Sequence, residues 1–203
     1  MPPRDPRPRR VAGPSASGVR ADGAAALPVL STRDVVLRAV RPGDLPRWLA
    51  YLQQEPVRQH ISWRPGSVDD LAEFVESTTL ASGARQIRFA IARAADDALV
   101  GTVGLHSIVR EHRVAEIAYD LDPACWGRGL ATAACQAVLA WARTQGLHRI
   151  QASVLDGNLA SARVLQRCQF SQEGLMRGCR WVDGVPRDVR LFSHLPTDDS
   201  AAR

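Results

Sequence analysis

The sequence contains no lysine, because all 26 of its basic residues are arginine. A phosphate-binding loop of the Walker type requires a lysine side chain, and an enzyme that forms a Schiff base requires an amine. The composition therefore excludes both of these chemistries. The hydrophobic fraction of 45% and the charged fraction of 23% are otherwise those of an ordinary globular protein.

Cysteines are few, and their spacing argues against a zinc site. Cys125, Cys135, Cys168 and Cys179 form no Cys-x-x-Cys pair, and no His-x-x-x-His motif accompanies them. We therefore expect reduced thiols in a cytoplasmic protein that holds no metal. No apolar run approaches the ~20 residues needed to span a bilayer, and the N-terminus lacks the apolar segment of a secretory signal, so we expect no membrane partner.

Much of the net charge of +5 comes from the N-terminal segment, since residues 1–28 carry +3 of it. This segment is rich in Pro, Arg, Gly, Ser and Ala and has no aromatic residue, which predicts a disordered tail. We expect one folded domain over residues 29–195 and a flexible tail over residues 196–203. The domain itself is barely basic, which argues against a nucleic-acid partner; binding of nucleic acid through the arginine-rich tail stays an alternative.

Hydrophobic periodicity predicts a mixed α/β domain in the order β-α-α-β-β-β-α-β-α-β-β. Asp44 is the expected N-cap of the first helix, and Ser67 with Asp70 has the pattern of a capping box. We expect a largely antiparallel sheet of about six to seven strands flanked by about four helices. The predicted strands are 34–40, a hairpin within 87–109, 114–121, 149–155 and a C-terminal hairpin turning at Asp183-Gly184; further helices span 129–145 and follow Asn158.

A glycine turn leads into the central helix in the stretch DPACWGRGLATAACQAVLAWA, residues 122–142. The first turn of a helix presents unpaired N–H groups and a partial positive charge, which favour an anion. Gly127 and Gly129 let the backbone approach a bulky ligand, Arg128 adds a cation, and Thr132 adds a hydroxyl. These features suit a pyrophosphate, although a plain turn that starts a core helix fits equally. A Rossmann site fits less well, because its third glycine is missing and the order of strands and helices is wrong.

Several separated motifs together resemble one known family. AEIAYDLDPACWGRGLATAACQAVLAWA, followed by NLASARVLQRCQF, resembles the acetyl-CoA site of the GNAT superfamily of N-acetyltransferases. The Trp-Gly-Arg-Gly-Leu-Ala version, with EGLMRGCRWVDGVPRDV further on, is most similar to the ribosomal-protein N-terminal acetyltransferase (RimJ/RimL-type) branch. The similarity covers nearly all of residues 33–194, and it implies a GNAT-like fold that uses acetyl-CoA as cosubstrate.

The resemblance also implies which residues contact the cofactor. In the family, three residues at the end of a strand splay away from the neighbouring strand and pair with the pantetheine arm of CoA. Asn158 matches a family asparagine that reaches the pantetheine or acetyl end of the cofactor, and it also fits as a helix cap. The family loop wraps the pyrophosphate with backbone amides. The matching residues are Tyr119, Asp120 and Leu121 on the strand, and Trp126, Gly127, Arg128, Gly129, Leu130, Ala131 and Thr132 in the loop and helix start.

The catalytic groups are less well marked. Many GNAT enzymes carry a tyrosine that protonates the leaving thiolate where this sequence has Leu165. Ser161 resembles the serine used near the CoA sulfur in this branch, although an ordinary helix serine fits as well. Glu116 is the candidate base, because strand alternation places it on one side with Ala118 and Asp120; a solvated strand carboxylate is the alternative. His106 fits a packed histidine better than a catalyst.

The acceptor is expected to be a primary amine, either a protein N-terminus or a small molecule. Trp63, Trp181 and Asp188 fall where the resemblance places the acceptor pocket, although core packing explains the two tryptophans equally. The branch resemblance favours a peptide amine. Because Leu165 replaces the usual acid, a non-catalytic acyl-CoA-binding or regulatory module stays an alternative function, and a homodimer is compatible with the sequence.

Overall fold

Seven strands form one mixed sheet in the order β1-β2-β3-β4-β5-β7-β6. The computed structural model describes residues 27–30, 32–78 and 84–200. Neighbouring strands run antiparallel except β4 and β5, which are parallel. The predicted fold class is therefore confirmed. The strands are β1 (Val35–Ala39), β2 (Ile87–Arg93), β3 (Leu99–Val109), β4 (Val114–Leu121), β5 (Arg149–Leu155), β6 (Ser171–Val182) and β7 (Val185–His194).

The helices connect these strands in the predicted order, with one addition. Three helices precede β2, one links the parallel strands β4 and β5, and one follows β5; they are α1 (Leu45–Leu52), α2 (Glu55–Arg58), α3 (Val68–Glu76), α4 (Leu130–Thr144) and α5 (Leu159–Arg167). The sequence did not predict α2, because a four-residue helix is too short to show a periodic pattern. No helix in the described ranges is both long and apolar enough to cross a membrane.

Helices cover both faces of the sheet, so the strands are buried between two apolar layers. On one face, α4 packs closely because small residues such as Ala134 and Ala142 are fully buried there. On the other face, α1 and α3 bury Trp48 and Leu71 against the sheet. This arrangement keeps the middle of the sheet rigid beneath the cavity that opens on β4.

The predicted capping box of Ser67 and Asp70 is confirmed, whereas Asp44 occupies the N-cap position of α1 without a capping bond from its side chain. Ser67 Oγ accepts a hydrogen bond from Asp70 N at 3.2 Å, and the Asp70 carboxylate accepts from Ser67 N at 3.1 Å. Asp44 does not cap α1, because Arg38 and the backbone N–H of Arg41 occupy its carboxylate at 2.7 and 2.8 Å. Because Arg38 on β1 binds this carboxylate, the carboxylate does not accept from the first N–H groups of α1.

The predicted tails are only partly described. The tail expected at residues 1–28 lies outside the described residues except for residues 27 and 28. Residues 196–200 of the expected C-terminal tail include a short 3-10 helix, Asp198–Ser200, and residues 201–203 lie outside the described part. The carboxylate of Asp199 lies 3.2 Å from His194 Nε2 at the end of β7.

Candidate active site

The two parallel strands in the middle of the sheet diverge part-way along. β4 and β5 pair only where residues 114–116 face residues 149–151. On its other edge β4 stays paired with β3 as far as Leu121, which lies opposite Gly101. From Ile117 to Leu121 the edge of β4 that faces β5 therefore has no strand partner among the described residues. Apart from the Leu121 carbonyl, which accepts from Trp126, the backbone groups on this edge are open to an extended ligand lying between the strands.

The glycine turn lies at the end of this open edge. Gly127 has φ +74° and Gly129 has φ +76°, both in the left-handed region that favours glycine. The Trp126 indole Nε1 donates to the Leu121 carbonyl at 3.0 Å, which fastens the turn to the end of β4. Gly129 is the N-cap of α4 and has no side chain to cap it, so the first N–H groups of α4 stay available for an anion.

One cavity of about 1360 Å³ connects the open strand edge, the glycine turn and the start of α5. Small-molecule pockets are typically about 300–1,000 Å³, so this cavity has the volume for a long cofactor and a second ligand together. It brings together most of the predicted site residues. Those that line it are Trp63, Glu116, Tyr119, Asp120, Leu121, Trp126, Gly127, Gly129, Leu130, Ala131, Thr132, Asn158 and Ser161.

Glu116 lies in this cavity with a histidine beside it. Its Oε1 is 3.9 Å from His106 Nε2, and its Oε2 accepts from Gln151 Nε2 at 3.4 Å. His106 lines the same cavity, and its Nδ1 lies 3.1 Å from Ser107 Oγ, so the packed, hydrogen-bonded histidine that the sequence suggested also faces the site. Burial lowers the pKa of His106, and the positive charges of Arg88 and Arg180 lower it further. The negative charge of Glu116 acts in the opposite direction and raises this pKa. The imidazole is therefore neutral near pH 7, next to a carboxylate.

The side chain of Asp120 is held by protein groups. Thr102 Oγ1 donates to its carboxylate at 2.7 Å, and Tyr51 and Arg88 also contact it. Arg88 in addition donates to Thr102 Oγ1 at 2.8 Å and to the Ala118 carbonyl at 3.0 Å. The carboxylate of Asp120 is therefore engaged within the protein and is not free to bind a ligand. Sequence reasoning missed Tyr51, Arg88 and Thr102, because their convergence depends on the register of three strands and on α1.

A hydroxyl pair lies where strand and helix face each other across the opening. Asn158 Oδ1 accepts from Ser161 N at 3.0 Å, so Asn158 caps α5 as expected. The Tyr119 hydroxyl lies 2.9 Å from Ser161 Oγ and 3.2 Å from the Ser161 carbonyl. Burial raises the pKa of Tyr119, so its phenol is protonated at neutral pH. Leu165 is fully buried and lines the cavity nearby. The sequence did not signal the hydroxyl contact, since it only placed Tyr119 opposite Glu116.

Trp63 lines the cavity and also packs against other aromatic rings. The centroid of its ring lies 4.8 Å from that of Phe74 and 6.3 Å from that of Trp48. Trp63 therefore lines the cavity and packs against two aromatic rings, but at 43% exposure it is not a core residue. The loop that carries it is tied to the turn between β6 and β7 by an ion pair of Arg64 with Asp183.

Three predicted site residues lie outside the cavity lining. Arg128 Nη2 is 3.6 Å from the Asp34 carboxylate. Trp181 is 71% exposed on β6, and Asp188 Oδ1 accepts from Gly178 N at 2.8 Å within the same hairpin. Arg180, the residue before Trp181, lines the cavity instead.

Comparison with known proteins identifies the family to which this site belongs. The family of the acetyltransferase (GNAT) domain matches residues 34–171. The chain belongs to the GNAT acetyltransferase family. YoaA, an uncharacterized N-acetyltransferase of Bacillus subtilis (strain 168), is 30% identical over 169 residues, which are 82% of this chain and 96% of YoaA. The predicted family and the predicted enzyme class, an acetyl-CoA-dependent N-acetyltransferase, are thereby confirmed.

Solved structures with the same fold differ in the acceptor that their names give. Mycobacterium smegmatis RimJ, in complex with CoA-disulfide, is 27% identical with a TM-score of 0.72, over 81% of this chain and 83% of that one. Spermidine N-acetyltransferase from Vibrio cholerae, in complex with CoA and spermine, is 25% identical with a TM-score of 0.72, over 82% of this chain and 98% of that one. Overall likeness therefore does not select an acceptor for this GNAT protein.

Proposed function

We propose that this enzyme transfers acetyl from acetyl-CoA to a primary amine by direct attack within a ternary complex. The supporting observation is that one cavity joins the open edge of β4, the glycine turn before α4 and the Glu116 carboxylate. Direct transfer requires the thioester and the amine to be bound together, since the acetyl group passes straight from sulfur to nitrogen. The cavity volume is sufficient for both substrates.

We propose that the backbone between Trp126 and Thr132 holds the diphosphate of CoA. The N–H groups at the start of α4 have no side-chain cap, and positive φ at Gly127 and Gly129 bends the turn around the opening. The unpaired edge of residues 117–121 suits the amides of the pantetheine arm. A backbone N–H near Leu121 would then stabilise the thioester oxygen as it gains charge.

Glu116 is the proposed base that accepts a proton from the acceptor. An α-amine has a pKa of about 7.7–8.0, whereas a lysine amine is near 10.4, so a peptide N-terminus is partly neutral at pH 7 and needs only a modest base. Glu116 is largely shielded from solvent, with a side-chain exposure of 12%, and the neutral His106 lies 3.9 Å away. A proton released by the amine can be held by this pair.

Ser161 is the proposed hydrogen-bond donor that stabilises the leaving thiolate. It takes the place of the tyrosine that Leu165 replaces, and the Tyr119 hydroxyl at 2.9 Å can orient the Ser161 hydroxyl. The amide nitrogen of Asn158 has no partner among the described residues, so it is available to the cofactor on the same side of the cavity. Each of these groups comes from β4 or α5, the two elements that border the opening.

The test is release of free thiol from acetyl-CoA in the presence of peptides, amino acids and polyamines. Glu116→Gln should lower kcat about 100-fold, the lower limit of typical general-base effects, and leave the Kd of CoA unchanged. Glu111→Gln is the matched control, because Glu111 also lines the cavity but lies in the exposed turn before β4. A Glu116→Gln rate close to that of the parent would refute the role of this carboxylate.

A non-catalytic acyl-CoA-binding module is the second candidate function. Buried Leu165 in place of the usual acid is the observation that favours it. This candidate predicts tight CoA binding without thiol release for every amine tested. Family membership and the hydroxyls of Tyr119 and Ser161 favour the enzyme.

A further inference from the structure

The cavity wall carries twice as many cations as carboxylates. Six arginines line it, against three acidic residues. One of these acids is already neutralised, because Arg88 pairs with Asp120 while also holding Thr102 and the backbone of β4. The arginines are Arg85, Arg88, Arg110, Arg163, Arg167 and Arg180, and the acids are Glu111, Glu116 and Asp120.

The remaining arginines divide between the two ends of the cavity. Arg163 and Arg167 belong to α5, the helix that begins at the proposed CoA end. Arg85, Arg110 and Arg180 lie towards the other end, on the side of His106 and the turn that follows β3. The carbonyl of Arg85 accepts from Ile108 N at 3.0 Å beside β3, Arg110 follows β3 directly, and Arg180 is close enough to lower the pKa of His106.

These three arginines present open guanidinium groups. None of the three side chains makes a hydrogen bond or an ion pair with another described residue. All three residues are exposed. Residues 79–83, which precede Arg85 outside the described ranges, contain no charged residue that could neutralise it. A guanidinium fork without a partner is a bidentate site for a carboxylate.

One carboxylate, Glu116, together with three arginines unpaired among the described residues, suits an acceptor that has one ammonium group and carboxylates close to it. We propose that the acceptor is an amine bearing carboxylates within a few bonds of the reacting nitrogen, as in an acidic peptide N-terminus or an acidic amino acid. This inference rests on the proposed function and names its substrate class. A polyamine would place further cations beside Arg85, Arg110 and Arg180, where like charges repel.

The experiment measures kcat/KM for thiol release with matched four-residue peptides at low and high salt. One peptide has glutamates at positions 2–4, a second has glutamines there, and a third has arginines; free glutamate and spermidine complete the set. We expect the acidic peptide to exceed the glutamine peptide by about tenfold or more, equal to about 1.4 kcal/mol, and the advantage to shrink in high salt. Comparing transfer to the acidic peptide with transfer to free glutamate shows whether the acceptor is a peptide N-terminus or an amino acid.

Charge variants of Arg180 test whether these arginines select the acceptor by its charge. Arg180→Gln should reduce the preference for the acidic peptide severalfold, and Arg180→Glu should move it towards the arginine peptide. Arg177→Gln is the control, since Arg177 is exposed on the same strand but does not line the cavity. Equal or better use of the glutamine peptide or spermidine would overturn the inference while leaving the proposed function intact. Absence of transfer to every amine would instead refute the proposed function.

Discussion

Two glycines at opposite ends of α4 allow the role of the glycine turn to be separated from its effect on stability. Gly129 precedes the helix with φ +76°, and Gly146 follows it with φ +79°. A Cβ added at either position meets no atom within 4 Å, so alanine causes only backbone strain at both sites. A left-handed non-glycine residue costs about 1–2 kcal/mol, and each kcal/mol lowers Tm by about 2–4 °C in a domain of this size.

Gly129→Ala and Gly146→Ala should therefore lose similar stability, about 2–8 °C in Tm by these values. Only Gly129 lines the cavity, so only its variant should bind CoA less well. If the strained turn loses one hydrogen bond to a phosphate, worth about 1.5–3 kcal/mol, Kd rises about 10- to 150-fold. Calorimetric titration with CoA and thermal unfolding measure both quantities. Equal CoA affinity in the two variants would refute diphosphate binding by this turn.

Three further predictions concern other parts of the molecule. Ser161→Ala should lower kcat about 100-fold. Tyr119→Phe removes one hydrogen bond worth about 0.5–1.5 kcal/mol, so it should lower kcat about 2- to 10-fold and leave the KM for acetyl-CoA unchanged. A change in KM alone would contradict the positioning role of Tyr119. Asp44→Asn should destabilise the fold by about 1.5–3 kcal/mol in urea unfolding with no change in the Kd of CoA, because Arg38, at a site only 10% exposed, would keep its ion pair with Asp97 but lose the one with Asp44. Burial lowers the pKa of His194 below 6.5, so its contribution to stability is complete above pH 6.5 and is lost as the pH falls to the lowered pKa. Urea unfolding at pH 7.5 and 5.5 should show a smaller loss for His194→Asn than for the parent.

Strand and helix positions could be predicted where a pattern repeats within one segment. The bounds of β4 and β5, residues 114–121 and 149–155, agree with the sequence to the residue. Both segments alternate or enrich apolar residues over seven or eight positions, which is enough to define a strand. The four-residue helix α2 has too few positions to do so.

Side-chain partners across the sheet could not be predicted, because they depend on register. Asp120 is contacted by Tyr51, Arg88 and Thr102, which lie 18 to 69 positions away along the chain. Trp181 was expected at the acceptor pocket and is 71% exposed instead, while its neighbour Arg180 lines the cavity. The sequence of one hairpin does not show which of its faces will meet the cavity.

The glycine turn was readable in advance because its requirement is local. Positive φ at Gly127 and Gly129 is the reason that glycine stands at both positions. The preceding Trp126 is held in place by its hydrogen bond to the Leu121 carbonyl. That bond spans only five residues, yet it depends on how the turn folds over the end of the strand.

Hydrogen exchange with and without CoA tests most directly whether the open edge of β4 and the glycine turn form the cofactor site. The account predicts that saturating CoA slows amide exchange in peptides covering Ile117 to Thr132, while α1 and α3 on the opposite face keep their rates. Unchanged exchange across residues 117–132 at millimolar CoA would contradict it.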